Sequence, residues 1–171
     1  DFNKRVLDTI NEELKSGIFK QISDFLQQVH KFPMEVAKSC GVNDTPFKDD
    51  FLSDLERLRR DAYPLLNNDE QNYTEQLFGW YLSNEQNFAY VPVLLHNDFS
   101  PEHILWNTEH QLISGVIDFG DIGIGDPDYD LMYLYDEWGE DYFRDFLKYY
   151  PHTDTAHLLK KLDFFARAST I

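Results

Sequence analysis

His96-Asn97-Asp98-Phe99-Ser100-Pro101-Glu102-His103-Ile104-Leu105-Trp106, followed after a short interval by Val116-Ile117-Asp118-Phe119-Gly120-Asp121, is the part of the chain whose reading decides the fold. The apolar run from Val91 to Leu95 reads as a strand that emerges into a loop, and Asp98 sits where that loop would present a polar side chain. Ser100-Pro101-Glu102 is turn-forming, so the chain can double back and set Asp98 and His103 around one small volume. Gly115-Val116-Ile117 is a second strand-like segment that delivers Asp118, and Phe119-Gly120 behind it is expected to bend sharply at the glycine.

Two carboxylates and an imidazole around one volume suit phosphoryl transfer. That chemistry holds a nucleoside triphosphate with its metal while a substrate hydroxyl is aimed at the γ-phosphorus. Asp98 is the candidate to orient the hydroxyl and accept its proton. His103 and Asp118 are the candidate Mg2+ ligands, and His96 is expected to support the loop by packing and hydrogen bonding. Taken singly, a His-x-Asp or an Asp-Phe-Gly is more often an ordinary turn. The ordered set of two strands, a turn, a second ligand and a bend carries the reading.

This set resembles the catalytic loop and the metal-binding DFG segment of the protein kinase superfamily, H-x-D, four residues, N, then D-F-G. His103 stands where that pattern has asparagine, and with this exchange HNDFSPEHIL and IDFGD are similar to the aminoglycoside 2''-phosphotransferase family of antibiotic kinases. An imidazole can ligate a divalent ion, although a harder oxygen suits magnesium better. Asn97 replaces the arginine of eukaryotic protein kinases, which points away from control by a phosphorylated activation loop. The resemblance implies an α+β, mainly helical fold, the C-terminal lobe of a kinase-like enzyme, with a small β-hairpin carrying the catalytic and metal-binding loops. It implies GTP or ATP as co-substrate and a cationic aminoglycoside as acceptor. It also implies that Asp130 braces the catalytic loop by accepting backbone hydrogen bonds. No glycine-rich phosphate loop or strand lysine is visible between Asp1 and Tyr90, so residues 1–171 are expected to form one domain, with the N-terminal nucleotide lobe outside this chain.

Composition agrees with this reading without demanding it. A hydrophobic content of 42% with 16% aromatics can build a packed core, and no run approaches the length of a membrane helix. Cys40 is the single cysteine, so intrachain disulfides are excluded and a reducing, cytoplasmic setting is expected for a monomer. A net charge of −16 argues against nucleic acid, which needs a basic surface.

Hydrophobic periodicity predicts helices around the two loops. Val6, Leu7, Ile10, Leu14 and Ile18 recur at helical spacing, as do Ile22, Phe25, Leu26 and Val29, with Gly17 expected to interrupt the pattern, giving two helices or one bent helix. His30-Lys31-Phe32-Pro33 is expected to end the second stretch, with His30 a helix-terminal residue of no catalytic role. Residues 39–49 read as a loop, 51–63 and roughly 72–82 as helices, and Leu158 to Ala166 as another. Gly123 to Leu131 reads as a loop and then a helix start, with Asp126 as N-cap before Pro127.

From Asp118 to Asp145 there are ten acidic residues against one base, Arg144. A region of one charge sign concentrates ligands of the other, and Asp136, Glu137, Glu140 and Asp141 are the candidates to hold substrate amines. Each could equally be the wet face of a helix. Trp138 could pack on a sugar ring or in the core, and Asp121 could approach a metal or a substrate amine but is read as solvated. Two other functions stay open: a choline-like or amino-alcohol kinase, which would call for an aromatic cage, and a lobe that binds a cationic ligand without turnover.

Overall fold

The computed structural model describes residues 2–170. Its helices are α1 (Lys4–Thr9), α2 (Glu12–His30), α3 (Met34–Ser39), α4 (Phe47–Asp61), α5 (Asn68–Ser83), α6 (Met132–Trp138), α7 (Glu140–Phe146) and α8 (Thr155–Ala168). Four short strands, β1 (Val93–Leu95), β2 (Ile104–Asn107), β3 (Leu112–Val116) and β4 (Gly123–Gly125), form two antiparallel pairs, β1 with β4 and β2 with β3. The mainly helical α+β expectation is met. No described helix is long and apolar enough to cross a membrane.

Gly17 does not break the second helix. The break falls at Ile10, which is extended, and Asn11 then caps α2 by accepting from the Leu14 N–H. A mid-helix glycine costs about 1 kcal/mol. Burial of Ile18, Phe19, Ile22 and Leu26 on one stripe outweighs it, at about 1.5–3 kcal/mol for each large apolar side chain. Two other helices start earlier than periodicity suggested. α4 begins at Phe47 directly after Pro46, and α5 begins at Asn68 behind an Asn67/Glu70 capping box, in which each side chain meets the other residue's N–H.

The sequence reading also missed β4, because Gly123-Ile124-Gly125 carries no strand signal. It is a strand through its neighbours. Ile124 donates to the Asn43 carbonyl and accepts from the Thr45 N–H while its own strand pairs with β1. The glycines are required by crowding: a Cβ on Gly125 would lie 2.7 Å from the Phe47 ring, and one on Gly123 would land on the Thr45 hydroxyl. The segment read as loop, 39–49, is thus partly the third rail of this ladder.

The core is aromatic and continuous. Phe2, Phe19, Trp138 and Phe146 pack edge to face or tilted at one end, and Tyr81 stacks on Phe164 with ring centroids 4.0 Å apart at the other. Trp138 is buried and donates its indole N–H to the Phe2 carbonyl, so it belongs to the core and offers no face to a sugar.

Candidate active site

β1 delivers His96, Asn97 and Asp98, and a single 3-10 turn, Pro101–His103, carries the chain from there into β2. The turn is held from within: the Ser100 N–H donates to the Asp98 carbonyl, and the His103 N–H donates to the Ser100 carbonyl. The β2–β3 hairpin then returns the chain, and the Ile117 N–H donates to the His103 carbonyl at 3.0 Å, fixing Asp118 beside the loop. His96 is fully buried and bonds the Ile117 carbonyl through Nε2 at 3.0 Å, with its ring packed on Phe119.

The structure brings Asp98, His103 and Asp118 together, with one ligand atom of each lying within 4.8 Å of the others. His103 Nδ1 is 2.8 Å from the Asp98 carbonyl oxygen and donates to it, which leaves the Nε2 lone pair facing Asp118 Oδ2 at 3.5 Å. That hydrogen bond raises the His103 pKa above the ordinary histidine value. Partial burial opposes the shift, and the charges of Asp98, Asp118 and Glu102 reinforce it. A carboxylate, an imidazole lone pair oriented by its second nitrogen and another carboxylate form a donor set that suits a divalent cation.

The expected bend at Gly120 lies elsewhere. Asp118 itself takes the left-handed conformation, with φ of 64°, as does Asn97 with φ of 70°, whereas Gly120 does not. Aspartate and asparagine tolerate this region better than other side-chain-bearing residues.

Asp130 is fully buried beneath the loop. Its Oδ2 accepts from the His96 N–H at 3.0 Å and its Oδ1 from the Asn97 N–H at 2.7 Å. His30, given no role from sequence, donates from Nε2 to Asp130 Oδ2 at 2.9 Å and has the Tyr150 hydroxyl 3.1 Å from Nδ1. A pairing across 100 residues leaves no local signal. The structure also reveals a buried cluster that sequence reasoning missed, in which Lys161 of α8 meets Asp126 and Asp128, and His152 meets Asp128.

The four candidate substrate acids do not share one face. Tyr133 and Glu137 are successive on one side of α6. Burial raises the Tyr133 pKa, and the charges of Asp98, Asp121 and Glu137 raise it further. Glu137 is itself raised by burial and by Glu102 and Asp136. Asp136 and Glu140 line a groove with Asp163 and Arg167 toward α8, and Glu140 is held by Arg144 at 2.6 Å. Asp141 is exposed in the first turn of α7.

Residues 3–165 match the model of the family described as "Phosphotransferase enzyme family". The fold is similar to that of APH(2")-IIia in a GDP and kanamycin complex, with a TM-score of 0.91 and 31% identity, covering 98% of this chain and 57% of that one. It is similar to APH(2")-IIa in a ternary complex with streptomycin and ATP, with a TM-score of 0.73 and 28% identity, covering 94% of this chain and 56% of that one. A macrolide 2'-phosphotransferase of type I, at 20% identity and a TM-score of 0.73, covers 89% of this chain and 50% of that one and shares the fold. The chain therefore spans a little over half the length of the aminoglycoside phosphotransferases it matches. On the family match over nearly its whole length, this chain belongs to the phosphotransferase enzyme family.

Proposed function

We propose that the protein transfers the γ-phosphoryl group of GTP or ATP to a hydroxyl of an aminoglycoside and so inactivates the antibiotic. The observation that carries this reading is the convergence of Asp98, His103 and Asp118, one ligand atom of each lying within 4.8 Å of the others. The family match and the kanamycin and streptomycin complexes of similar structures support the substrate class.

Asp98 is partly exposed at the loop and among the described residues carries no cation partner other than His103, so its carboxylate is free to take a hydrogen bond from the incoming alcohol and then its proton. His103 and Asp118 would hold Mg2+, which when bound neutralises charge on the phosphates. His103 keeps its Nε2 turned to that position because Nδ1–H is committed to the Asp98 carbonyl. Asp130 and His96 hold the loop rigid, so that positioning rather than covalent chemistry supplies most of the rate. Glu137 and Asp121 carry the charge that draws in the drug's ammonium groups, with Asp136, Glu140 and Asp141 adding to the field from further round the surface. The lone exposed thiol of Cys40 suits a reducing, cytoplasmic setting.

The test is Asp98→Asn in the full-length enzyme. Transfer should fall by about 10²–10⁴-fold, the usual contribution of a general base, while kanamycin binding measured by calorimetry stays within about threefold. Activity that survives the change removes Asp98 from the chemistry. A second reading is favoured by the chain spanning 57% of the length of its structural match. In it these 171 residues alone bind the drug weakly and transfer no phosphate, and steady turnover by them would refute it.

A further inference from the structure

The segment that braces the catalytic loop is a 3-10 turn, Pro127–Leu131, capped by Asp126, whose side chain accepts from the Asp128 N–H. Its alternate residues Asp126, Asp128 and Asp130 are all carboxylates, and all are buried. Asp130 is committed to the backbone of His96 and Asn97. The other two point the opposite way, to α8, where the ammonium of Lys161 is 3% exposed, meets Asp126 and lies 2.9 Å from Asp128 Oδ2. Nothing in the phosphotransfer chemistry uses this lysine.

We infer that Lys161 is a positioning residue for the phosphotransfer reaction: by pairing with Asp126 and Asp128 it holds the 126–130 turn in the one conformation from which Asp130 can brace the amides flanking Asp98. Two buried carboxylates two residues apart would otherwise repel each other in a medium that screens poorly. While both stay charged, the turn could then relieve that repulsion by swinging toward water and carrying Asp130 off the loop. The charges that face Asp126 fit this account. Lys161 comes from α8 and Asp128 from its own turn, while the hydroxyls of Tyr81, Tyr90 and Tyr150 have their pKa values raised by burial and by Asp126's charge. His152 touches Asp128 but not Asp126, and His157 faces Lys161. Lys161 is therefore the sole cation paired with Asp126 among the described residues. Even with it, burial pushes the Asp126 pKa up to about 6, whereas His152 and Lys161 together overcome burial and hold Asp128 below the ordinary carboxylate range.

The inference rests on the proposed function only in calling the loop catalytic, and its test needs no turnover. Hydrogen-exchange protection of the His96 and Asn97 amides reads Asp130's grip directly. In Lys161→Met at about pH 8, protection of these two amides should fall at least tenfold relative to the β2–β3 hairpin amides, and it should recover on acidification, beginning above about pH 6, because losing the lysine's attraction raises the Asp126 pKa further and lets it take up a proton. The double variant Asp126→Asn/Lys161→Met should recover most of the protection at about pH 8 as well, since Asp128 keeps His152. In the full-length enzyme, kcat should fall with KM for both substrates moving less than about twofold. Equal loss at every amide, no loss at His96 and Asn97, or a double variant no better than the single one would overturn the proposal. If Lys161→Met does not fold at about pH 8, folding of the double variant there supports the proposal, and its failure too refutes it.

Discussion

The imidazole of His103 is fixed by the backbone of Asp98: Nδ1 is 2.8 Å from the Asp98 carbonyl oxygen, and this single hydrogen bond determines that Nε2 faces Asp118. The residue proposed to take the substrate proton thus also orients the proposed metal ligand, through different atoms. A pH dependence follows. The His103 pKa lies above the ordinary histidine value, and imidazolium cannot ligate a metal. Metal affinity should therefore be lost as pH falls through the histidine range and regained above it. In the metal-free protein the sign reverses, since a raised folded-state pKa contributes stability at low pH that disappears as pH rises through that pKa. Titration calorimetry with Mg2+ at about pH 6 and about pH 8 should show the tighter binding at the higher pH. His103→Ala should remove the difference.

Removing Asp130 should be expensive. Asp130→Ala leaves the His96 and Asn97 N–H groups buried without acceptors and strips His30 of its partner. At about 1–3 kcal/mol for each unmet buried donor, a loss of about 3 kcal/mol or more is expected in urea or thermal unfolding. A loss below about 1 kcal/mol would mean that water replaces the carboxylate in the loop.

Glu137 and Glu140 should behave differently although they are three residues apart. Glu137 feels the charge of Glu102 and in turn acts on Tyr133, as Asp98 and Asp121 do, whereas Glu140 is occupied by Arg144. Glu137→Gln should weaken kanamycin binding by about tenfold at low salt, with the difference shrinking as salt is raised, and Glu140→Gln should leave it nearly unchanged. Equal effects would relocate the drug site.

Gly125→Ala should destabilise the protein by about 1–3 kcal/mol, because its Cβ would press on the Phe47 ring at 2.7 Å and on the Leu95 side chain of β1 at 3.2 Å. Gly115→Ala is the control, since its Cβ would meet Leu105 at an ordinary 3.8 Å. Thermal melts of the two variants compare them directly.

What the sequence determined alone is the local geometry that short windows encode. The spacing of Asp98, His103 and Asp118 around turn-forming residues anticipated their convergence, and Asp126 before Pro127 anticipated the cap, because caps and turns depend on neighbours two or three residues away. The capping box at Asn67 and Glu70 is equally local.

Tertiary structure decided the rest. The left-handed bend sits on Asp118 rather than Gly120 because loop and hairpin are tied through Ile117 to His103 and His96. Gly17 stays helical because its neighbours find a core to bury in, and β4 is a strand because Asn43, Thr45 and β1 supply partners on both sides. His30 with Asp130, and Lys161 with Asp126 and Asp128, join parts of the chain separated by 33 to 100 residues. Such pairs follow from how the helices pack, and a burial that satisfies a charge at that range has no signature in the residues beside it.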